Sequence, residues 1–219
     1  MNWIKNPLHF PSQETPFLIE GPSGNLELVT LAAPQQKGVA VLCHPHPLQG
    51  GTLYNKVVHT LSRAFHRKGL HVVRFNYRGV GKSEGQFGDS EGEITDLKAV
   101  IQWTQSVLGE GPLWLGGFSF GAYIAARGAQ AYPCQQLYSI APSVLHQPYA
   151  ALGSVACPWV VIQGEEDEVV APQAVYAWFE QQAKQSEMTL LTLPGASHFF
   201  HGQLMALRAL VEDTLIGIS

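Results

Sequence analysis

A serine between two glycines, in Gly-Phe-Ser-Phe-Gly at 117–121, is the residue best placed for covalent chemistry. The apolar run 113–116 precedes this pattern, and a run with helical character, 122–126, follows it. A turn that passes so sharply from strand to helix leaves no room for flanking side chains and projects the serine hydroxyl from the top of a sheet. The helix that begins there offers free N–H groups and a positive dipole end to an oxyanion. The sequence therefore predicts that Ser119 is a nucleophile.

A serine hydroxyl needs a base that takes its proton, and the base needs a carboxylate that orients it. Candidates follow two later apolar segments: Asp167 lies after 159–162, and His198 lies after 188–193. Three acidic neighbours in the same loop remain alternatives to the aspartate, Glu165, Glu166 and Glu168. His201 is the alternative base, but its position predicts that it lies in the next helix, where it remains a candidate for substrate binding. The chain order serine, aspartate, histidine is expected for a nucleophile on such a turn.

Short apolar segments bounded by Gly or Pro alternate with segments of helical spacing. The predicted strands are 26–31, 39–43, 70–75, 113–115, 136–140, 159–162 and 188–193. The predicted helices are 56–68, 92–108, 120–131, 173–183 and 199–215. This alternation is typical of an α/β fold with a mostly parallel, twisted sheet, helices on both faces, and ligands at the carboxyl ends of the strands. Only a short loop joins the first two strands, so the N-terminal edge is predicted to be antiparallel.

Length and composition limit the other possibilities. A chain of 219 residues with 46% hydrophobic residues fits one folded domain, 1–219, and excludes disorder. Its 13 Lys and Arg against 17 Asp and Glu give a net charge of −4, which offers no footprint for nucleic acid. No membrane span or signal peptide is recognisable, and the three cysteines are predicted to be reduced thiols. These features predict a cytoplasmic protein without membrane or nucleic-acid partners, of undetermined oligomeric state.

The motifs together resemble the α/β-hydrolase superfamily, in particular its small serine-dependent esterase-like members related to dienelactone hydrolases. The resemblance covers nearly the whole chain and includes Cys-His-Pro-His-Pro at 43–47, the glycine pair 50–51 and Asn-Tyr-Arg-Gly-Val-Gly-Lys-Ser at 76–83. It implies an α/β-hydrolase fold that needs no cofactor. It also favours Asp167 over its acidic neighbours, because Asp167 has the family's spacing from Gly164. Dienelactone hydrolases proper use a cysteine nucleophile, so the serine in this chain puts their substrate in doubt.

An oxyanion hole needs backbone N–H donors close to the nucleophile. The residue after the nucleophile, Phe120, is expected to supply one. The other is expected from the loop after 39–43, where two prolines lack an N–H and only His46 and Leu48 remain nearby. The position of this loop relative to the family's His-Gly pattern implies the His46 amide, with Leu48 as second choice.

Two further patterns support weaker hypotheses. Cys43, His44 and His46 are neighbours, but a zinc site needs three or four convergent ligands, and no second cluster has matching spacing. No metal is therefore predicted. Gly-Lys-Ser at 81–83 resembles the end of a phosphate-binding loop, but the first glycine of that pattern is missing. Arg78 is instead predicted to pin loops near the site.

The predicted function is hydrolysis of small or short-chain carboxylic esters, or of thioesters, by Ser119, His198 and Asp167 through an acyl-enzyme. Only about 18 residues separate the strands 136–140 and 159–162, too few for a helical lid, so an open site is expected. The residues predicted to bind substrate are Leu48, Tyr54, Phe118, His146 and Phe199, with Tyr149 beside His146 at the entrance. The alternative is a non-catalytic binding or scaffold domain of the same fold, against which an intact triad argues.

Overall fold

The computed structural model describes residues 3–218, and across them eight strands form one sheet. In chain order the strands are β1 Phe17–Gly21, β2 Gly24–Leu31, β3 Val39–Cys43, β4 His71–Phe75, β5 Leu113–Phe118, β6 Gln136–Ile140, β7 Trp159–Gly164 and β8 Met188–Leu193. The helices are α1 Lys56–Arg67, α2 Glu91–Leu108, α3 Phe120–Ala131, α4 Pro172–Gln182 and α5 Leu204–Thr214. The spatial order β1-β2-β4-β3-β5-β6-β7-β8 places β5, which leads into Ser119, inside the sheet.

The sheet has an antiparallel N-terminal edge and is parallel from β4 onward, which confirms the prediction. The edge contains a strand that the sequence did not reveal, β1, which forms a hairpin with β2. Its apolar character is confined to three buried residues, Phe17, Leu18 and Ile19. β2 pairs with β4 and not with β3, its neighbour along the chain. Every residue of β3 is buried between two parallel neighbours, β4 and β5, as expected for a strand covered on both faces.

Helices cover both faces of the sheet, as predicted. One face packs against α1 and α5 through residues such as Leu61 and Leu207. The other face packs against α2, α3 and α4 through residues such as Leu97, Ile124 and Val175. Because both faces are covered, the loops at the carboxyl ends of the parallel strands are left as the place where polar side chains can gather.

The last helix begins later than predicted. The periodicity favoured a helix from Phe199, but α5 begins at Leu204. Phe200 has φ of 53° and Gly202 has φ of 75°, and neither value is compatible with a right-handed helix. Residues 199–203 therefore form a separate turn that follows His198, and His201 lies in this turn and not in a helix.

The prediction of three reduced thiols is wrong for two of the cysteines. Cys134 and Cys157 form a disulfide, with their Cα atoms 5.9 Å apart. They precede the adjacent parallel strands β6 and β7, which brings them together although 23 positions separate them in sequence. Cys43 is free and buried, and burial raises the pKa of its thiol to about 12. The disulfide removes the thiol argument for a cytoplasmic location.

The segment between β6 and β7 contains only one short 3₁₀ turn, Tyr149–Ala151, so no lid covers the sheet at this point. Its two aromatic candidates have different positions. His146 is exposed, in agreement with a place near the entrance. Tyr149 is buried instead, because its ring packs edge-on against Tyr123 and Trp178 at centroid distances of 5.2 and 4.9 Å. The prediction that Tyr149 lies at the entrance is therefore wrong.

Candidate active site

The turn that carries Ser119 is built by close approach of backbone to backbone. Ser119 has φ of 54°, which is unusual for a residue with a side chain, and its N–H donates to the Ile140 carbonyl at 2.9 Å. A Cβ atom at Gly117 would lie 2.0 Å from the Gly121 carbonyl oxygen. A Cβ atom at Gly121 would lie 2.3 Å from the Cys43 carbonyl oxygen. Both positions therefore require glycine. The backbone of the turn lies so close to itself and to the loop after β3 that a methyl group does not fit at either position.

We expect Gly117→Ala to lower the free energy of unfolding by about 1–3 kcal/mol, because the added methyl group overlaps backbone atoms that cannot move independently. The variant is also expected to lose the reactivity of the Ser119 hydroxyl, because Ser119 must shift. Urea unfolding and the rate of covalent labelling by a fluorophosphonate measure the two effects. Gly111→Ala is the matched control, since a Cβ atom there meets nothing within 4 Å. Equal stability and activity of the two variants would contradict this account of the turn.

The His198 ring connects the serine to the aspartate. Its Nε2 lies 3.2 Å from the Ser119 Oγ, and its Nδ1 lies 2.8 Å from the Asp167 Oδ2. The side chains of His198 and Asp167 are 3% and 0% exposed. An Nδ1–H that donates to the carboxylate leaves Nε2 free to accept the serine proton. The arrangement is therefore suited to activating a hydroxyl for nucleophilic attack.

Asp167 is fixed by more than the histidine. Its Oδ1 accepts the N–H groups of Val169 at 2.9 Å and Val170 at 2.7 Å, and its Oδ2 accepts from Gln163 Nε2 at 2.9 Å. Burial alone would raise the pKa of Asp167, but the hydrogen bonds from His198, the Val170 amide and Gln163 outweigh it and lower the pKa. The carboxylate is thus ionised and held in one orientation. The sequence signal for Gln163 was a polar residue inside the apolar strand β7.

The structure separates the acidic neighbours. Glu165 and Glu166 are exposed and do not reach the imidazole. Glu168 is exposed as well, but its Oε2 accepts the backbone N–H of His198 at 3.0 Å. Sequence reasoning missed this contact, because only the fold brings the loops after β7 and β8 together. His201 is exposed in the turn before α5.

Two amides beside Ser119 have no acceptor among the described residues, those of Phe120 and His46. Both residues line the same cleft as Ser119. The second-choice donor, Leu48, is occupied, because its N–H donates to His46 Nδ1 at 3.2 Å. The amides of Phe120 and His46, which the sequence analysis favoured, are therefore free to donate hydrogen bonds to an oxyanion.

A buried histidine holds the loop that carries the His46 amide. His44 Nδ1 lies 2.7 Å from the Pro45 carbonyl oxygen, and His44 Nε2 accepts the N–H of Tyr77 at 3.2 Å. Burial lowers the pKa of His44 to about 3, so the ring is neutral and keeps its proton on Nδ1. This ties the loop after β3 to the loop after β4 and fixes the direction of the chain at Pro45.

Two open clefts of about 520 and 400 Å³ meet at Ser119. The first, here called the histidine-side cleft, is lined by His198, Phe199, Gly50, Gly51 and Asn55. The second, here called the loop-side cleft, is lined by Phe120, Ser143, His146, Gln147 and Val170. His46, Gln49 and Val169 line both. Ser119 therefore has space on two sides, one with the imidazole and one without it.

Some of the residues predicted to bind substrate line these clefts, and the others lie elsewhere in the structure. Phe199 lines the histidine-side cleft, and His146 lines the loop-side cleft. Phe118 is fully buried and packs beneath the His198 ring at a centroid distance of 4.9 Å, so it supports the base and does not line a cleft. Leu48 lines a neighbouring groove with Arg78 and Phe87, and Tyr54 is exposed outside both clefts.

Arg78 pins loops, as its position suggested. Its backbone N–H and its Nε and Nη2 groups all donate to the Asp96 carboxylate, with the Nη2–Oδ1 distance 2.8 Å. The side chains of Arg78 and Asp96 are 12% and 0% exposed. The pair joins the loop after β4 to α2 on the same side of the sheet as Ser119.

Arg78→Met is expected to lower the free energy of unfolding by about 3–5 kcal/mol, because it leaves the buried Asp96 carboxylate without its cation. Arg127→Met is the matched control. The ion pair of Arg127 with Glu91 is more exposed, at 30% and 73%, and exposed pairs contribute only about 0–1 kcal/mol. Chemical denaturation of both variants makes the comparison. A smaller loss for Arg78→Met than for Arg127→Met would refute the structural role.

No group of three or more His, Cys, Asp or Glu side chains within residues 3–218 is arranged to hold a metal ion. In the same part of the chain, no helix has both the length and the apolar character needed to cross a membrane.

Comparison with known proteins agrees with this geometry. Residues 34–156 match the family model described as serine aminopeptidase, S33. An uncharacterized protein of Rickettsia prowazekii is 31% identical over 90% of this chain and 87% of its own length. The structure of an α/β serine hydrolase homologue from Coxiella burnetii has 44% identity and a TM-score of 0.87, covering 93% of this chain and 98% of its own.

A serine hydrolase without a lid from Xanthomonas campestris is 42% identical, with a TM-score of 0.87 and a coverage of 94% of each chain. These similarities cover nearly the whole chain. The chain therefore belongs to the α/β serine hydrolases, within the family described as serine aminopeptidase, S33, and is one of the small members of this fold without a lid.

Proposed function

We propose that the protein hydrolyses small or short-chain carboxylic esters, or thioesters, through an acyl-enzyme on Ser119. The observation that carries the proposal is the imidazole of His198, with Nε2 3.2 Å from the Ser119 hydroxyl and Nδ1 2.8 Å from Asp167. A histidine held between a hydroxyl and a buried carboxylate is the arrangement that nucleophilic serine catalysis requires. Free amides at Phe120 and His46 add the second requirement, stabilisation of an oxyanion.

The mechanism has two half-reactions. His198 Nε2 takes the Ser119 proton while Oγ attacks the substrate carbonyl, and the Phe120 and His46 amides bind the oxygen as it becomes negative. The imidazolium, stabilised by Asp167, then protonates the leaving alcohol or thiol as the tetrahedral intermediate collapses to the acyl-enzyme. Water deprotonated by His198 attacks the acyl carbon, and protonation of Ser119 releases the acid. Each half-reaction returns His198 to its neutral form.

The two clefts determine which way round an ester would bind at Ser119. His198 must protonate the leaving group, so the leaving group belongs in the histidine-side cleft. The acyl chain then belongs in the loop-side cleft, which Phe120 lines and His198 does not. No lid covers the sheet between β6 and β7, so the cleft is open, which favours a short acyl chain.

The absence of carboxylates from the lining of both clefts favours an ester over an aminoacyl substrate. No Asp or Glu occurs among the described residues that line either cleft. A free α-ammonium group would therefore meet no carboxylate when its carbonyl lies at the oxyanion amides. For this reason the proposal does not adopt the aminopeptidase activity in the family's description.

A panel of substrates tests the proposal: ethyl esters with two to eight acyl carbons, the matching thioesters and amides, and an alanine amide. We expect turnover of the short esters and thioesters, falling with acyl length, and little turnover of the alanine amide. Failure to hydrolyse any ester, together with no covalent labelling by a fluorophosphonate, would favour a non-catalytic binding or scaffold role. The proposed partner is thus a small-molecule ester, and a cytoplasmic location stays a prediction from the sequence.

A further inference from the structure

Ser143 is a polar residue beside the nucleophile that the mechanism above does not use. It follows β6, lines the loop-side cleft and is 5% exposed. Its backbone carbonyl accepts the amides of His146 at 3.0 Å and Gln147 at 3.1 Å, which fixes its place in the loop. Its hydroxyl is buried and has no hydrogen-bond partner among the described residues. An unpartnered buried hydroxyl is costly, and among the described residues that have an unpartnered buried polar group, Ser143 alone lines a cleft at Ser119, where a ligand can supply the missing bond.

The other polar side chains that line the loop-side cleft are the amides of Gln49 and Gln147 and the imidazoles of His46 and His146. Gln147 is held by the Ser90 hydroxyl, with Oε1 2.8 Å from Oγ, and Gln49 lies on the opposite loop. No Asp, Glu, Lys or Arg lines this cleft among the described residues. An ammonium on the acyl chain would meet no Asp or Glu here, and a carboxylate would meet no Lys or Arg. A hydroxyl or keto oxygen would find a hydrogen-bonding group at no cost in buried charge.

We propose that Ser143 determines acyl specificity, and that the preferred substrates are esters whose short acyl chain carries an uncharged hydroxyl or keto oxygen. This inference rests on the proposed function, because it assigns the loop-side cleft to the acyl group. The Ser143 hydroxyl bonds with that oxygen when the acyl carbonyl lies at Ser119. A purely hydrocarbon chain of the same length leaves the hydroxyl without a partner.

Ethyl butanoate, ethyl 3-hydroxybutanoate and ethyl 3-oxobutanoate, followed by acid release, test the proposal because they share a leaving group and a chain length. The readout is the ratio of kcat/KM for each oxygenated ester to that for butanoate. We expect Ser143→Ala to lower both ratios about tenfold, the size of one hydrogen bond made only with these substrates. Butanoate is the reference substrate within each variant, because this ester makes no bond with the hydroxyl, so the ratio reports the oxygen of the acyl chain alone.

Ser197→Ala is the matched control, because the Ser197 hydroxyl is also buried without a partner but the residue lines neither cleft. It should leave both ratios unchanged. Ser143→Ala should not lower the thermal unfolding midpoint, since the lost hydroxyl has no partner in the described part of the folded chain. Equal ratios in wild type and Ser143→Ala, with butanoate hydrolysed normally, would overturn the role of Ser143 alone. Absence of hydrolysis of all three esters would overturn the proposed function as well.

Discussion

Ser119→Ala is expected to lower kcat for a short-chain ester by about 10⁶, comparable to removal of the nucleophile in a well-studied serine protease. The loss is this large because His198 and Asp167 have no alternative hydroxyl to activate. The His198 Nε2 reaches Ser119 Oγ at 3.2 Å, and no other side chain hydroxyl bonds with it in the described part of the chain. Steady-state hydrolysis, with wild-type protein diluted to the detection limit as a standard, measures the difference.

The comparison needs a variant that is folded, because Ser119 occupies a strained backbone position with φ of 54°. Alanine tolerates this position about as well as serine, so the unfolding midpoint of Ser119→Ala should match that of wild type. Ser197→Ala is again the control for removal of a buried hydroxyl in the same region. Retention by Ser119→Ala of more than about 1% of wild-type kcat would be incompatible with the nucleophile assignment.

Asp167→Asn is expected to lower kcat by about 10⁴, by analogy with the corresponding change in serine proteases. The surrounding hydrogen bonds explain why the effect should be large. The amides of Val169 and Val170 both require an acceptor at the Oδ1 position, so the asparagine oxygen must lie there. Its NH₂ group then faces His198 Nδ1 and forces the imidazole proton onto Nε2. In this tautomer Nε2 carries the proton and has no lone pair that can accept the Ser119 proton.

Glu166→Gln is the matched control for this change, because it also replaces a carboxylate by an amide in the loop after β7. Glu166 is exposed, and kcat should stay within a factor of about two, as for other exposed substitutions. Glu168→Gln should have a small effect as well, because an amide oxygen can still accept the His198 N–H. If Asp167→Asn turned over ester at a near-wild-type rate while Glu168→Gln did not, the orienting role would move to Glu168.

Much of the fold was predictable because strand and helix periodicities alternate with turn residues along the chain. The parallel sheet, the helices on both faces and the short segment between β6 and β7 all follow from local patterns. The missed parts depend on tertiary context. β1 has only three apolar residues and becomes a strand because β2 offers it a partner. The start of α5 was misplaced because Phe200 adopts a positive φ that periodicity does not reveal.

The candidate site was predictable where a residue's role depends on its place along the chain. The glycines around Ser119 and the order of Asp167 and His198 relative to the strands required no knowledge of contacts. Roles that depend on contacts between distant segments were not predictable. The bond of Glu168 with the His198 amide and the burial of Phe118 beneath the imidazole are examples. The disulfide between Cys134 and Cys157 belongs to the same class, since the adjacency of β6 and β7 creates it.

The most direct test of the central claim is to locate the adduct that a fluorophosphonate forms with the protein, by intact mass and peptide mapping. The account predicts one adduct per chain, on Ser119, formed quickly in wild type and much more slowly in His198→Ala. It predicts no adduct in Ser119→Ala. A wild-type adduct on any other residue, or undiminished labelling of Ser119→Ala, would contradict the claim that Ser119, His198 and Asp167 act as one nucleophilic unit.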